Sequence, residues 1–446
     1  MASNKTFSSE EARLAKNEQI AKSWAATRAK REQQDCRVYT LKLTLAKATR
    51  RQREALERVF LEAKWMRNSA LAADDTLTYD WRSKTASVKV VTGVLEEREL
   101  KHLGSQVRQS ILEGLRRDMR SLAALKKRGK TIGKLKFAKQ VNSIELKQHG
   151  TTYRIRGQKV SIQGLPGYYR IRGLDQLKDK DLANAKLIHK AGEYYLAVTT
   201  FQDKILEDKP EAMLGIDFGL KTHVTTSSGL EVNVLVQETE RMRRLLRKLR
   251  RQISGSKNYT KTRLLIQREY GRLDQRKADQ ANKLVALLTS ESIVCFQDDA
   301  LSGWKTRRGF VRGGKTIQHS ILGRVKAKLS GSANAIKLPR FLPTTKLCVC
   351  GVKNEALTLV DRVFECASCG YSRSRDLHAA ENMIRFALIS GQELPVAPVE
   401  GLSDWNKEAF ELSYQQASMK QETDEAKKPE NSRAPRGEAS VSSAQM

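Results

Sequence analysis

Long apolar runs, aromatic residues and negative charge are what this sequence has least of. Aromatic residues make up 6% of the 446 residues, so any stacking on nucleobases must depend on few side chains. No apolar run reaches the roughly 18 residues that a membrane-spanning helix needs. The first residues, MASNKTFSSEEARLAKNEQIAKSW, mix acids with bases and contain no apolar stretch of the kind that a secretory signal has. We therefore expect a protein of the prokaryotic cytoplasm with no membrane partner.

The shortage of acidic residues has a direct functional implication. The chain has 82 Lys and Arg against 50 Asp and Glu, which gives a formal net charge of +32. Such an excess repels itself unless a polyanion neutralises it. Phosphate contacts with release of counterions would do so, and they indicate a nucleic-acid partner. The alternative is an anionic membrane surface, but this would require an apolar lipid-facing stripe that the sequence does not show.

Hydrophobic periodicity predicts how strands and helices alternate along the chain. Residues 135–202 consist of short alternating runs separated by turns, which predict a small antiparallel barrel or sheet. Further strands are predicted at 37–45, 213–235 and 292–297, and helices at 49–73, about 93–126, about 238–253, 261–289 and 378–388. The first helix has one apolar face, formed by Leu56, Val59, Phe60, Ala63 and Met66. Beyond about residue 410 the chain is polar, and we expect it to be disordered.

Basic residues cover the second face of several of these predicted elements. Such a face is either a solvated surface or a contact surface for phosphate, and the net charge favours contact. The residues predicted to bind nucleic acid are Arg116, Arg117, Arg120, Lys126, Lys127, Arg154, Arg156, Arg170, Arg172, Arg243, Arg244, Arg247 and Arg251.

Three aspartates stand where metal-dependent phosphodiester chemistry would need them. Asp217 lies in an apolar strand that ends in a glycine turn, Asp299 follows the strand ending near Phe296, and Asp376 precedes a helical run. Two Mg²⁺ ions about 4 Å apart need several carboxylates from separate elements to hold them. Each aspartate alone is also compatible with a helix cap, a turn or an ion pair, and Asp376 in particular with an N-cap.

The few cysteines are concentrated in one place. Four of the six, Cys348, Cys350, Cys366 and Cys369, lie within 22 residues, which in a reducing compartment indicates a metal site rather than disulfides. Cys366 and Cys369 form a C-x-x-C pair, whereas Cys348 and Cys350 form a tighter C-x-C pair. Four thiolates predict a closed, structural Zn²⁺ site. The alternative is a set of reduced thiols in a collapsed loop.

Three strings resemble the RuvC segments of one protein family. They are GIDFGLKTHVTTSSG from residue 215, FQDDALSGW from residue 296 and CASCGYSRSRDLHAAENMI from residue 366. The family is that of the transposon-encoded TnpB proteins and the related miniature type V CRISPR effectors. The similarity covers about residues 37–400 and is sharpest over 213–386.

This resemblance implies an α/β protein in which an RNase H-like (RuvC) nuclease domain contains an inserted zinc ribbon. It also implies an N-terminal wedge β-barrel that carries a helical recognition insert. The implied layout is a charged extension (1–36), the barrel's first part (37–48), the helical insert (49–130), the barrel's second part (131–203), a linker (204–210), the nuclease's first part (211–338), the zinc ribbon (339–371), the nuclease's last part (372–400) and a disordered tail (401–446).

The resemblance assigns the three catalytic acids to Asp217, Asp299 and Asp376. The middle position departs from the family pattern, because many relatives have Glu-Asp-Leu where this chain has Asp299, Ala300 and Leu301. Asp is one methylene shorter than Glu, which would alter the geometry of a bridging carboxylate. Asp298 is the alternative ligand, and Gln297 is not a competent one.

The leading hypothesis is an RNA-guided DNA endonuclease with Mg²⁺, or alternatively Mn²⁺, at its active site. Its partners would be a guide RNA and a target double-stranded DNA with a short flanking motif, the only sequence that the protein itself would read. A second hypothesis is an RNA-guided DNA binder with weak or no cleavage. A third is a transposase that joins DNA strands itself.

Overall fold

In the computed structural model, the residues described are 10–73, 75–76, 78–91, 94–203, 210–301, 303–305, 314–358, 360–391 and 404–427. The chain divides into two compact units, Met1–Leu206 and Glu207–Met446. Most of the predicted linker, residues 204–209, lies outside the described residues. Within the described ranges, no helix combines the length and the apolar character needed to cross a membrane.

The first unit combines helices with a seven-stranded sheet. Its helices are α1 (Glu10–Glu32), α2 (Arg50–Ala72) and α3 (Ser105–Lys127). Its strands are β1 (Gln34–Thr44), β2 (Thr85–Val91), β3 (Val94–Glu99), β4 (Ser143–Leu146), β5 (Tyr153–Arg156), β6 (Lys159–Ile162), β7 (Tyr169–Ile171), β8 (Asp181–Lys190) and β9 (Glu193–Asp203). The large sheet has the order β4-β8-β9-β1-β7-β6-β5, and β2 pairs with β3 in a separate hairpin.

The seven-stranded sheet curls so that its two edges approach each other. Every neighbouring pair in it is antiparallel. Tyr153 on edge strand β5 donates its hydroxyl to the carbonyl of Ala183 on β8, at 2.8 Å, and β8 lies next to the opposite edge strand. A buried contact between the two ends of the sheet is expected in a nearly closed barrel, because closure leaves few strand edges exposed.

Helix α2 begins at a capping box and packs on this sheet. Thr49 accepts a hydrogen bond from the backbone N–H of Gln52 at 3.2 Å, and Gln52 accepts one from the N–H of Thr49 at 2.9 Å. The apolar face predicted from the sequence, Leu56 to Met66, is buried as expected, and it joins the core of the first unit.

The predicted helix over residues 93–126 is wrong at its start. Residues Val94–Glu99 form strand β3, and the helix begins only at Ser105. The stretch LEERE has helix-forming composition, but pairing with β2 along the whole of β3 overrides that local preference.

The second unit is built on a five-stranded mixed sheet. The strands of the second unit are β10 (Ala212–Phe218), β11 (Val224–Thr226), β12 (Glu231–Val232), β13 (Ser292–Gln297), β14 (Ala335–Leu338), β15 (Val363–Glu365) and β16 (Ser372–Ser374). Its helices are α4 (Glu240–Arg250), α5 (Lys257–Thr289), α6 (Gly314–His319), α7 (Leu322–Leu329), α8 (Arg375–Leu388) and α9 (Lys407–Lys427). The main sheet has the order β12-β11-β10-β13-β14, and β15 pairs with β16 separately. Strands β10, β11 and β12 are antiparallel, whereas β10, β13 and β14 run parallel.

The predicted disordered tail over 401–446 is wrong in its first part. Helix α9 occupies residues 407–427, and Phe410 on it is fully buried against Phe386 and Trp405. Phe410, Tyr414 and Ala417 recur at i, i+4 and i+7 and all pack in this core, a helical pattern that the polar composition of the segment hides. Residues 428–446 lie outside the described part of the chain.

Candidate functional site

Two of the predicted acids come together because their strands are parallel neighbours. In the pairing of β10 with β13, Ile216 lies opposite Phe296, so both strands reach the same edge of the sheet at the same level. Asp217 is the residue after Ile216, and Asp299 follows the end of β13 at Gln297. Ligand sites in sheets with parallel strands form at this carboxyl edge.

The third acid reaches this edge through the packing of α8 on β10. A side chain on Gly215 would place its Cβ 1.8 Å from the carbonyl oxygen of Ala380, so α8 can approach β10 this closely only because residue 215 is glycine. Asp376 lies in the first turn of α8. The N-cap is Ser374, not Asp376, so the capping alternative for Asp376 does not apply.

The carboxyl of Asp217 is buried and lies close to the other two acids. Asp217 keeps some exposed surface as a residue, yet its carboxyl is enclosed by protein, and this burial raises its pKa well above the ordinary value. The negative charges of Asp299 and Asp376 raise it further, and Arg375 and the N–H of Phe218 oppose the shift only in part. Burial likewise raises the pKa of Asp299 to about 6. A carboxylate cluster with this excess of negative charge suits divalent cations.

Asp298 and Asp299 have different surroundings although they are adjacent. Asp298 forms ion pairs with Lys326 at 2.5 Å, Arg340 at 3.5 Å and Lys337 at 3.8 Å. Asp299 instead lies close enough to Asp217 to raise the pKa of the Asp217 carboxyl. Because Asp298 is already neutralised by three cations, the arrangement favours Asp299 over Asp298 as the second metal ligand.

Arg375 lies beside the three acids and is held by contacts with Asp376 and with the backbone at Asp361. It contacts Oδ1 of Asp376 at 3.1 Å and donates to the carbonyl of Asp361 at 2.8 Å. Its charge lowers the pKa of Asp217. Arg375 therefore partly neutralises the cluster and fixes Asp376.

The four clustered cysteines meet in space. Their Sγ atoms all lie within 4.8 Å of one another, with Cys348 and Cys369 separated by 3.5 Å and Cys350 and Cys366 by 3.7 Å. Tetrahedral Zn–S bonds of about 2.3 Å imply S···S separations of about 3.8 Å, whereas a disulfide needs about 2.05 Å. The tight C-x-C pair is thus no obstacle, and the cluster could hold zinc.

Backbone donors favour the thiolate form at Cys366. Burial raises the pKa of this thiol, but hydrogen bonds from the N–H groups of Cys369 and Ser368 lower it, to a net value of about 7. Thiolates are the form that binds zinc, so these N–H groups support the same donor set.

A buried polar network connects the cysteine cluster with α8. Asn382 donates to the carbonyls of Thr344 and Leu347 at 2.8 and 2.9 Å, and Nε2 of His378 contacts the carbonyl of Leu347 at 2.9 Å. Leu347 precedes Cys348, and the ring of His378 stacks on Phe364 with centroids 4.1 Å apart. The helix that carries Asp376 is therefore fixed directly to the first cysteine pair.

The predicted nucleic-acid-binding residues are exposed, with one exception. Arg116 is partly buried, with Nη2 3.5 Å from the carbonyl of Tyr79, so it is less suited to phosphate contact than predicted. Some of the exposed arginines have acidic neighbours: Arg247 pairs with Glu240 at 3.0 Å and Arg117 with Glu145 at 3.6 Å.

Comparisons with known proteins match separate parts of the chain. The OrfB_IS605 family model, described as a probable transposase, matches residues 197–293. The model of the Cas12f1-like TNB domain matches residues 324–383, a range that contains the four clustered cysteines and Asp376. The putative RNA-guided DNA endonuclease InsQ of Escherichia coli (strain K12) is 23% identical over 240 residues, 49% of this chain and 60% of that protein's length. The predicted resemblance to the TnpB proteins and miniature type V effectors is therefore confirmed.

Two solved structures also align with the chain. The Cas12f1–sgRNA–target DNA complex aligns over 78% of this chain and 98% of its own, at 16% identity and a TM-score of 0.23. The mini-RNA-guided endonuclease CRISPR-Cas_phi3 aligns over 60% of this chain and 65% of its own, at 12% identity and a TM-score of 0.31.

The sequence did not indicate the residues that surround the acids. Lys326 and Arg340 contact the segment before Asp299, and Gln421 on α9 contacts Arg340. They come from α7, from the segment after β14 and from α9. Lysine, arginine and glutamine are common on protein surfaces, so periodicity and spacing gave no signal for them.

Proposed function

We propose that this chain is an RNA-guided DNA endonuclease that cuts with a two-metal, RuvC-like site formed by Asp217, Asp299 and Asp376. The observation that carries the proposal is that Asp299 and Asp376, which come from separate elements, both lie close enough to the Asp217 carboxyl at this edge of the sheet to raise its pKa. The strand order β12-β11-β10-β13-β14, three antiparallel strands followed by two parallel ones, supports an RNase H-like domain.

Asp217, Asp299 and Asp376 would together hold the Mg²⁺ ions, or Mn²⁺ in their place. When bound, the ions would lower the pKa of an attacking water and stabilise the leaving oxygen. Arg375 would hold the Asp376 carboxylate through the contact described above.

The basic surfaces of the chain support the choice of partners. The exposed arginines and lysines would bind the backbone of a guide RNA and of the RNA–DNA heteroduplex, whose base pairing would supply sequence recognition. A short motif beside the target is the part of the double-stranded DNA that the protein itself would read. The similarity to InsQ, whose name describes a putative RNA-guided DNA endonuclease, supports this proposal.

The cysteine cluster would hold one structural Zn²⁺ ion, with Cys348, Cys350, Cys366 and Cys369 filling all four positions and leaving none for catalysis. Metal analysis of the purified protein should find one zinc per chain, and Cys366→Ser should lower that content. Equal zinc in both proteins would contradict this ligand set.

The test begins with the RNA that co-purifies with the protein, which is sequenced to identify the guide and then supplied with matching double-stranded DNA. Wild-type protein should cut this DNA with Mg²⁺ and not with EDTA. Asp217→Ala and Asp376→Ala should each abolish cutting while RNA binding is retained. Cutting at the wild-type rate by either variant would refute the site. Binding without cutting by the wild type would favour an RNA-guided DNA binder, and strand joining without RNA would favour a transposase.

A further inference from the structure

The carboxylate of Asp298 lies next to the proposed metal site, yet it pairs with basic side chains of the protein. Its side chain is 16% exposed, and Lys326, also 16% exposed, lies 2.5 Å from Oδ1. Arg340 lies 3.5 Å from Oδ2. Taking these charges partly out of water is costly, and their mutual attraction offsets that cost only while the three side chains keep this geometry.

The same two cations also bind the backbone that presents Asp299. Nζ of Lys326 donates to the carbonyl oxygen of Asp299 at 2.5 Å, and Nε of Arg340 donates to that of Asp298 at 2.9 Å. Lys326 lies on α7, and Arg340 follows β14. The turn that carries Asp299 is thus held by charged donors from two elements.

Arg340 is itself fixed on both sides of its backbone. Its N–H donates to Oε1 of Gln421 on α9 at 2.7 Å, and its carbonyl accepts from Nε2 of Gln297 at 2.7 Å. Gln297 is buried at the end of β13. The hydrogen bonds therefore run from α9 through Arg340 to Gln297 and Asp298, the two residues before Asp299.

We propose that Asp298, Lys326 and Arg340 are positioning residues that hold the backbone turn at Asp299 where its short side chain can bind a divalent cation. The proposal rests on the proposed function above. A carboxylate on a short side chain has fewer rotatable bonds with which to compensate for a displaced backbone than the glutamate of many relatives. Support around a metal ligand typically changes metal affinity or activity by about 10–100-fold.

The test compares Lys326→Met and the isosteric Asp298→Asn with the wild type in two measurements. One is the Mg²⁺ concentration that gives half-maximal DNA cleavage. The other is Mn²⁺ binding to the full chain freed of RNA, followed by the electron paramagnetic resonance of free Mn²⁺. Both variants should need about 10-fold or more metal and bind Mn²⁺ correspondingly more weakly. Lys326→Arg should recover much of this loss, because it keeps the charge.

Lys328→Met is the matched control, since Lys328 is an exposed lysine on the same helix. It should leave both measurements unchanged. A general loss of folding would lower the amount of active protein without raising the metal requirement, and thermal unfolding of each variant measures it directly. Asp298→Asn and Lys326→Met with a wild-type metal requirement and Mn²⁺ affinity would overturn the proposal.

The same experiment separates this proposal from the function on which it rests. Asp217→Ala is included, and it should abolish both cleavage and the Mn²⁺ binding assigned to the site. If the wild type does not cut, and Asp217→Ala binds Mn²⁺ as well as the wild type does, the nuclease site and the positioning role are both overturned. Loss in Asp217→Ala but not in Asp298→Asn or Lys326→Met would overturn the positioning role alone.

Discussion

The carboxyl of Asp217 lies where its own charge is unfavourable. Burial and the charges of Asp299 and Asp376 raise its pKa, and the positive charge of Arg375 offsets only part of this effect. The folded chain therefore holds protons on Asp217 and Asp299 at pH values where the unfolded chain has already released them. Stability of the metal-free protein consequently falls as the pH rises through that window.

Replacing this carboxyl should therefore stabilise the metal-free protein. In EDTA, Asp217→Asn should have a higher Tm than the wild type. The difference should grow as the pH rises above the ordinary carboxyl value of 3.8 towards the raised pKa of Asp217. Each kcal/mol gained would raise the Tm by about 2–4 °C for a unit of this size. Thermal unfolding across a pH series measures the effect.

Addition of Mg²⁺ provides the control for this prediction. Mg²⁺ should raise the Tm of the wild type more than that of Asp217→Asn, because a ligand stabilises only the form that binds it. A variant with a lower Tm than the wild type throughout the pH series would contradict the electrostatic account of Asp217.

Among the elements, the contact between β10 and α8 determines whether Asp376 reaches the other acids. Gly215 allows this contact because a Cβ there would overlap the carbonyl of Ala380. Backbone atoms cannot move aside as a flexible side chain can. Any larger residue at this position must push α8 away from the sheet.

Gly215→Ala should therefore destabilise the second unit and remove most DNA cleavage, since α8 carries Asp376. Gly271→Ala is the matched control. Gly271 lies within α5, where a Cβ would meet nothing within 4 Å, and Ala in a helix is favoured over Gly by about 0.5–1 kcal/mol. Thermal unfolding and cleavage rates should be compared for both variants. Wild-type cleavage by Gly215→Ala would show that the close approach of α8 is not required.

Local sequence pattern predicted most of these elements but not those that depend on distant partners. Helix α2 could be predicted from its apolar face and strand β13 from its continuous apolar run, because each pattern lies wholly within the element. Strand β3 could not, because its pairing with β2 outweighs its helix-forming composition. Helix α9 was not predicted because the segment is mostly polar, and only its packing against Phe386 shows which of its residues are buried.

The same division applies to the candidate site. The four cysteines could be identified from their spacing, and the three aspartates from their places beside apolar strands and a helical run together with the resemblance to the RuvC segments. Their surroundings could not, since Lys326, Arg340 and Gln421 gain their positions only from the folded chain. The choice between Asp298 and Asp299 likewise needed the ion pairs of Asp298.

For the molecule as a whole, the dominant property is its net charge of +32. Binding to RNA through phosphate contacts should weaken steeply with salt, because each neutralised phosphate releases counterions. Lys126→Ala with Lys127→Ala, at the exposed end of α3, should lower the slope of log K against log salt by about 0.7–0.9 for each lost contact. Filter binding at several salt concentrations measures this slope.

Lys407→Ala serves as the comparison, since Lys407 is an exposed lysine outside the predicted contact set. It should leave the slope unchanged. An unchanged slope in the double variant as well would remove the C-terminal end of α3 from the RNA-binding surface.

The proposed function requires Asp217, Asp299 and Asp376 to hold divalent cations in one site. A crystal soaked with Mn²⁺ and measured at an X-ray wavelength where manganese scatters anomalously would locate these ions. We predict anomalous peaks between these three carboxylates, and no such peaks in crystals of Asp217→Ala. Peaks elsewhere in the wild type, with the space between the three carboxylates empty, would contradict the account.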